Sequence, residues 1–295
     1  MLRIIQRLDK LAAMRVDFVQ RGMLSGGHAS RGHMSHLLKD SSRDANGEDD
    51  DGGPVEGQDV LGHVTLAQTH GRSGFWTSKE PCANFQQARD YPRNIDALGD
   101  SIGKPELHFL TLECVAAQLH KSPDELHQIN GKISVFHSAV ATFFSPSDPS
   151  GIHGMQQEHI RSTPSWRGCE ARHDCAFVVE DDTKPGMMGM NVVRVKLFFS
   201  FEYDGESYPC TLVEWFGRVG CDPVTGLWMV RPDITCGQRD ISVLHVDAFL
   251  RSVHLIPVYG SEKLPLDFHY SYLLDAFNTF YVNKYIDHHA NEIAF

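Results

Sequence analysis

The phrase YVNKYIDHHANEIAF brings Asp287, His288, His289 and Glu292 within six residues. Carboxylates and imidazoles are the usual ligands of zinc and other transition metals. If the phrase is helical, residues three or four apart share a side, so His288 or His289 could face a cation together with Glu292. A full site needs three or four converging ligands and partners that orient the histidines. With 17 histidines in the chain, neighbouring pairs also arise by chance. The competing reading is a polar helix face or an end cap. No metal or other cofactor is therefore assigned, and these four residues stand as the candidate ligands.

The segment CEARHDC sets Cys169, His173 and Cys175 close together. Zinc knuckles and ribbons need two short-spaced pairs, whereas the next cysteines, Cys210, Cys221 and Cys236, stand apart. Small apolar cysteines in a loop and a strand are the alternative. There is no G-x-S-x-G elbow, no C-x-x-C and no P-loop, and GIHGMQ lacks the Lys and hydroxyl that would hold a phosphate. Nothing pairs two carboxylates as two-metal chemistry requires. No catalytic residue is assigned. Trp215, Phe216, Trp228 and Tyr259 form an aromatic set that could line a pocket for a methylated ammonium, or could simply fill a core.

These side chains depend on the elements that carry them. In VVRVKLFFSFEY, Val193, Val195, Leu197, Phe199, Phe201 and Tyr203 alternate with Arg194, Lys196, Ser200 and Glu202, which predicts a strand with one buried and one wet face. Asp204-Gly205 is a hairpin signal before a second strand. TGLWMVRPD, ISVLHV and HLIPVYG supply three more short strands, with DAFLRS as a turn of helix between the last two. Such close spacing predicts a small antiparallel β-barrel or rolled sheet over about 191–260. ELHFLTLECVAAQLHKS reads as a helix with Leu107, Leu110, Cys114, Ala117 and Gln118 along one side. GKISVFHSAVATFF reads as one strand, and YSYLLDAFNTFYVNKYIDHHANEIA as one C-terminal helix. The fold class is thus α+β. A short basic helix spans 1–24, a disordered Gly/Asp-rich linker 25–74, a helical and loop lead-in 75–190, and the C-terminal helical part 261–295.

Net charge is −11, unevenly spread. Residues 1–43 carry eight Lys or Arg against three Asp, or +5, which leaves −16 for the rest. An acidic body gives no electrostatic basis for tight autonomous duplex binding. Only the basic first segment, with Arg3, Arg7 and Arg15, offers a DNA contact, and the alternative there is an ordinary amphipathic helix. No stretch approaches the eighteen apolar residues of a membrane span, and the charged opening lacks a signal-peptide core. Seven cysteines without a repeated spacing argue against a disulfide framework. These features predict an intracellular protein with reduced thiols.

The phrases QARDYPRNIDALG, GKISVFHSAVATFFSPSDPSGIHGM, IRSTPSWRG, RVKLFFSFEYDGESYPCTLVEWF, TGLWMV, VLHVDAFLRSVHLIPVYG and LDAFNTFYVNKYIDHHANEIAF run colinearly from about residue 84 to the end. Together they resemble the C-terminal region of fungal Plavaka-type transposases, in the Kyakuja-Dileera-Zisupton (KDZ) group of DNA transposons. The resemblance implies a region that follows an RNase H-like catalytic domain with a DDE carboxylate set and two metal ions. No carboxylate of this chain matches those catalytic positions. The expectation is a truncated, non-catalytic accessory region that meets a protein or chromatin partner in the nucleus. A stand-alone reader module using the aromatic set, and a metal-dependent hydrolase using the terminal cluster, are the alternatives.

Overall fold

The computed structural model describes residues 52–54, 63–66, 91–145, 155–166, 169–260, 264 and 268–295. All of them lie in the compact unit Asp50–Phe295, and the other unit, Met1–Asp49, holds none of them. In chain order the first elements are β1 (Gly52–Pro54), β2 (His63–Leu66), α1 (Ile95–Ser101), α2 (Leu107–Leu119), β3 (Ser134–Phe136), β4 (Ser138–Phe144), β5 (Met155–Thr163), β6 (Arg172–His173) and β7 (Cys175–Val179). The long strands β8 (Met190–Tyr203) and β9 (Glu206–Cys221) follow. After them come β10 (Trp228–Pro232), β11 (Ile234–Thr235), β12 (Gln238–Arg239), β13 (Ile241–His245), β14 (Phe249–Val253) and β15 (Leu255–Pro257). The chain closes with α3 (Leu273–Ala276), β16 (Phe280–Val282) and α4 (His288–Ala294).

The β8–β9 hairpin organises the rest. Its two turn residues, Asp204 and Gly205, take φ of 52° and 82°, the doubly positive geometry that suits the twist of a two-residue hairpin. β8 receives β7 and β3 along its free edge, and β9 receives β13 and then β10. The nine-stranded antiparallel sheet runs β14-β7-β8-β9-β10-β16-β15. Its two edge strands, β14 and β15, are separated in sequence only by His254, so the sheet curls until its edges nearly meet. Phe177, Phe216, Val230, Phe280 and Val282 fill the resulting barrel. The smaller sheet, β1-β5-β4-β2 with β6 on β5, covers the barrel's outer side through Ala139, Ala141, Phe143 and Ile160 against Ala176, Val193, Val195 and Val213. α1 and α2 pack on the far half of the hairpin, where Leu107, Leu112 and Val115 meet Leu197, Phe199, Phe201 and Leu212. The α+β class and the barrel-like sheet are therefore as the sequence predicts.

Several elements differ from expectation, each for a local reason. β8 does not keep one wet face: a β-bulge between Val195 and Leu197 switches its parity. Val193 and Val195 thus face the smaller sheet, while Leu197, Phe199 and Phe201 face the helices. Arg194, on the side opposite the two valines, is buried because that side faces the barrel. α2 is apolar nearly all round, which hides its inner side from periodicity. It buries Thr111, Leu112, Val115 and Ala116 and leaves Ala117 and Gln118 exposed. The single strand expected over GKISVFHSAVATFF is divided at His137, with β3 joining the barrel and β4 the smaller sheet. DAFLRS gives one 3-10 turn, Val246–Ala248, and then strand β14.

The expected long C-terminal helix is also broken. A 3-10 turn at Tyr270–Tyr272 leads into the four-residue α3, the chain becomes extended at Phe277, and β16 fills the gap between β10 and β15. Leu273, Phe277, Phe280 and Tyr281 match a helical spacing by coincidence, since Phe280 and Val282 alternate into the barrel as strand residues do. A C-terminal helix is present, but it is only His288–Ala294. Strands β3, β4, β5, β6 and β7 lie inside the span that reads as helical and loop lead-in, and β1 and β2 inside the span that reads as linker. The remainder of that linker span, and the basic segment with Arg3, Arg7 and Arg15, lie outside the described residues.

Candidate functional site

α4 begins at Asp287, whose carboxylate accepts the Ala290 amide at 2.7 Å and so satisfies a free N–H of the first turn. The same carboxylate takes a two-point grip from Arg251 of β14, at 3.0 Å and 2.6 Å. His289, one residue into the helix, is buried and stacks on Phe143 of β4 with ring centres 4.6 Å apart and planes 7° from parallel. Its Nδ1 lies 3.1 Å from Arg251 Nη1. Glu158 of β5 completes the group, meeting Arg251 Nη2 at 3.0 Å and accepting the Ser252 amide at 2.6 Å. The Arg251 guanidinium also lies over the Phe143 ring at 4.5 Å. Arg251 thereby joins the barrel, the smaller sheet and the C-terminal helix at one point.

The terminal cluster is thus divided by its helix. Asp287 and His289 point inward to Arg251, whereas His288 and Glu292 face outward, 3.3 Å from each other. Among the described residues, no group of three or more His, Cys, Asp or Glu is placed to hold a metal. The electrostatics agree with an ion-pair junction. Burial raises the Glu158 carboxyl, more than the facing Arg251 lowers it. Burial also works to raise Asp287, but the hydrogen bonds and charge of Arg251 outweigh it and hold that carboxyl below its usual range. Arg251 is favoured in its charged form because Glu158 and Asp287 more than offset its desolvation.

A second charged group lies on the barrel-facing side of the hairpin. Arg194 and Glu214 are direct cross-strand partners, both buried. Arg194 Nη1 reaches Asp275 of α3 at 2.7 Å and stands 3.8 Å from Glu214. Lys196 meets Glu214 at 3.4 Å. Arg239 approaches Asp275 at 3.6 Å and donates to the Leu274 carbonyl at 2.8 Å. Nearby, His173 Nδ1 is 2.9 Å from the Ser162 hydroxyl. Burial, then the charges of Lys196 and Arg194, pull the His173 imidazole down to about 4, so it is neutral at physiological pH. Burial, assisted by Arg194, also lowers Lys196.

The CEARHDC residues part in the same way. Cys169 is exposed, His173 turns to Ser162, and Cys175 is buried in the barrel with its thiol pushed up to about 12 by desolvation. The aromatic set does not share one pocket. Trp215 and Phe216 are neighbours on β9 and therefore face opposite ways. Trp215 packs toward the smaller sheet and donates to Ser242 at 2.7 Å, while Phe216 meets Phe280 edge-on inside the barrel. Trp228 packs partly against the barrel core, and Tyr259 is exposed beside Phe277.

The outer side of the C-terminal segment has a different character. Five of the seven exposed aromatic side chains among the described residues, Tyr259, Tyr270, Tyr272, Tyr285 and Phe295, lie between 259 and the end. Tyr285 is 71% exposed and Tyr270 66%. Lys284 extends between Tyr285 and Phe295, at 5.5 Å and 4.8 Å from their ring centres. Ile286 and Met188 add exposed apolar surface, and the 3-10 turn bearing Met188 contacts α4.

Nothing in the sequence alone marks Glu158, Arg194, Glu214 or Asp275 as members of a site, and Arg251 is marked only weakly. One signal was present: Arg251 interrupts the apolar run FLRSV at a position flanked by inward residues. No helix among the described residues is long and apolar enough to cross a membrane. Comparison with known proteins gives no match: no family model, no curated protein and no solved structure corresponds to this chain.

Proposed function

We propose that this protein acts by contact, as a non-catalytic accessory region of a transposon-derived protein of the Plavaka type, and that its C-terminal segment meets a protein partner in the nucleus. The observation that carries the reading is the concentration of exposed tyrosine on a segment whose inner side is fixed. Asp275 and Asp287 hold that segment to the barrel through Arg194 and Arg251. Aromatic side chains on a pre-ordered backbone lose little entropy on docking and dominate the binding energy of protein interfaces. Of the two carboxylates in the terminal cluster, Asp287 is occupied as helix cap and arginine partner, and Glu292 faces outward beside His288.

Two experiments test this. Supercoiled plasmid incubated with the purified chain and Mg²⁺ or Mn²⁺ should stay intact, and nicking that EDTA abolishes would overturn the non-catalytic reading. For the surface, a photoreactive phenylalanine replaces Tyr285 in one variant and the exposed Glu202 of β8 in another. In fungal nuclear extract the Tyr285 variant should give a discrete adduct that the Glu202 variant does not. Equal labelling at both positions would remove the C-terminal segment as the contact surface.

A further inference from the structure

Cys114 and Cys210 come from elements far apart in sequence and meet beneath α2. Cys210 is fully buried on β9, in the cluster formed by Leu107, Val115, Phe199 and Leu212, and Cys114 of α2 packs against that same cluster from a partly exposed position. The register of β9 with β13 sets Cys210 directly opposite His245. The Cys114 thiol interacts with both members of that pair, with the Cys210 thiol and with the His245 backbone. α2 itself packs on β13. The thiol-to-thiol contact, made within the one cluster that both side chains share and beneath a helix packed on β13, puts the two sulfurs side by side, with Cys114 partly exposed and Cys210 behind it.

We propose that this pair is an oxidation site for hydrogen peroxide or a similar hydroperoxide, with Cys114 as the sulfur oxidised first and Cys210 as the resolving thiol. The Cys114 thiolate attacks one peroxide oxygen, the O–O bond breaks, and hydroxide leaves, giving a sulfenic acid. Cys210 then attacks the Cys114 sulfur, the S–O bond breaks, and the departing hydroxide takes the Cys210 proton as water. In total two thiols and one peroxide give one disulfide and two waters, with two electrons passing from sulfur to oxygen. Exposure assigns the two roles, since peroxide can reach the partly exposed Cys114 and not the fully buried Cys210, and the contact that lowers the Cys114 thiol while raising Cys210 agrees with that order. Cys175 lacks the thiolate character to compete, because burial pushes it up to about 12. The product would bind α2 covalently to the hairpin across a loop of roughly 100 residues.

The test uses the full chain with Cys82, Cys169, Cys221 and Cys236 replaced by Ser, so that Cys114, Cys175 and Cys210 remain. Treated with a small excess of hydrogen peroxide, it should lose two of its three thiols. Its mass should fall by about 2 Da, the two hydrogens removed. Digestion should release a linked peptide pair containing Cys114 and Cys210, and dithiothreitol should restore both thiols. The oxidised form should melt roughly 10 °C higher than the reduced form. In the Cys210→Ser variant, Cys114 should stop at a sulfenic acid that dimedone traps. Peroxide that leaves both thiols intact, that drives Cys114 to sulfinic acid with Cys210 untouched, or that links two chains through Cys114 would each overturn the assignment. If the substituted background does not fold, the linked Cys114–Cys210 peptide is sought in the unsubstituted chain, with the same outcomes deciding.

Discussion

Arg251 and Arg194 lie on strands of the same sheet, and each grips a carboxylate of the C-terminal segment, but their surroundings are balanced in opposite ways. Arg251 has two carboxylates to itself, Glu158 and Asp287, and it touches three separate parts of the fold. Arg194 shares Glu214 with Lys196 and Asp275 with Arg239, so three cations divide two anions. The surplus is tolerable because His173 stays neutral and because Asp275 is 55% exposed, leaving the group open to water on one side. The first group is a closed junction and the second an open belt. In a closed junction each partner is needed to offset the desolvation of the others, whereas an open belt can lose one partner to solvent.

The largest effect should follow from breaking the junction. Replacing Arg251 by Met leaves the partly buried Glu158 and Asp287 beside each other without a cation, and since removal of one partner from a fully buried pair typically costs about 3–5 kcal/mol, a loss of about 3 kcal/mol is expected. Calorimetry at neutral pH should show a melting temperature lower by roughly 10 °C. The combined variant Arg251→Met, Glu158→Gln, Asp287→Asn should recover much of that loss, since it strands no charge. A single-variant loss under about 1 kcal/mol would show that the junction is open after all.

The belt should show its balance in acid. The folded His173 binds its proton only near 4, well below the ordinary 6.5, so between those values the unfolded chain binds more protons than the folded one. Stability should therefore fall as pH is lowered through that window, by about 3 kcal/mol in total. Glu158 works in the other direction, because its raised carboxyl takes up a proton in the folded state first. Denaturant melts of the wild-type chain and of His173→Gln, compared by difference from pH 7.5 to 4, isolate the histidine. The variant should have the flatter profile, and parallel profiles would mean that His173 charges freely beside Lys196 and Arg194.

The contrast between junction and belt explains what could be read from the sequence. The β8–β9 hairpin was legible because alternation and Asp204-Gly205 are local signals. Its bulge at Lys196 was not, and neither was the covering of the side opposite Val193 and Val195, which buries Arg194 although it reads as solvent-facing in a strand with one wet face. Arg251, Glu158 and Asp287 come from β14, β5 and the start of α4, and no local pattern links elements so far apart in the chain. The cluster Asp287, His288, His289 and Glu292 was visible as a set of ligand types, but whether its members converge depends on the turn of a helix only seven residues long. That turn places Asp287 and His289 on one side and His288 and Glu292 on the other. β16 has the spacing of a helix and forms a strand because closing a barrel edge is a tertiary demand that overrides a short periodic pattern.

The smallest effects separate holding the C-terminal segment from using it. Asp275→Asn removes a half-exposed carboxylate from Arg194 and Arg239, and should cost about 1 kcal/mol, less than half the Arg251 effect. Tyr270, Tyr272 and Tyr285 touch solvent over most of their surfaces, so replacing all three by Ser should change stability by no more than about 0.5 kcal/mol. If the segment works as a contact surface, that near-silent triple variant should abolish the discrete photo-adduct formed from position 286, placed beside the lost rings. Asp275→Asn, which keeps the rings and only loosens their support, should weaken the adduct without abolishing it. A triple variant that still forms the adduct in full would show that the exposed tyrosines take no part in contact. A large loss of stability in that variant would show instead that their rings belong to the fold.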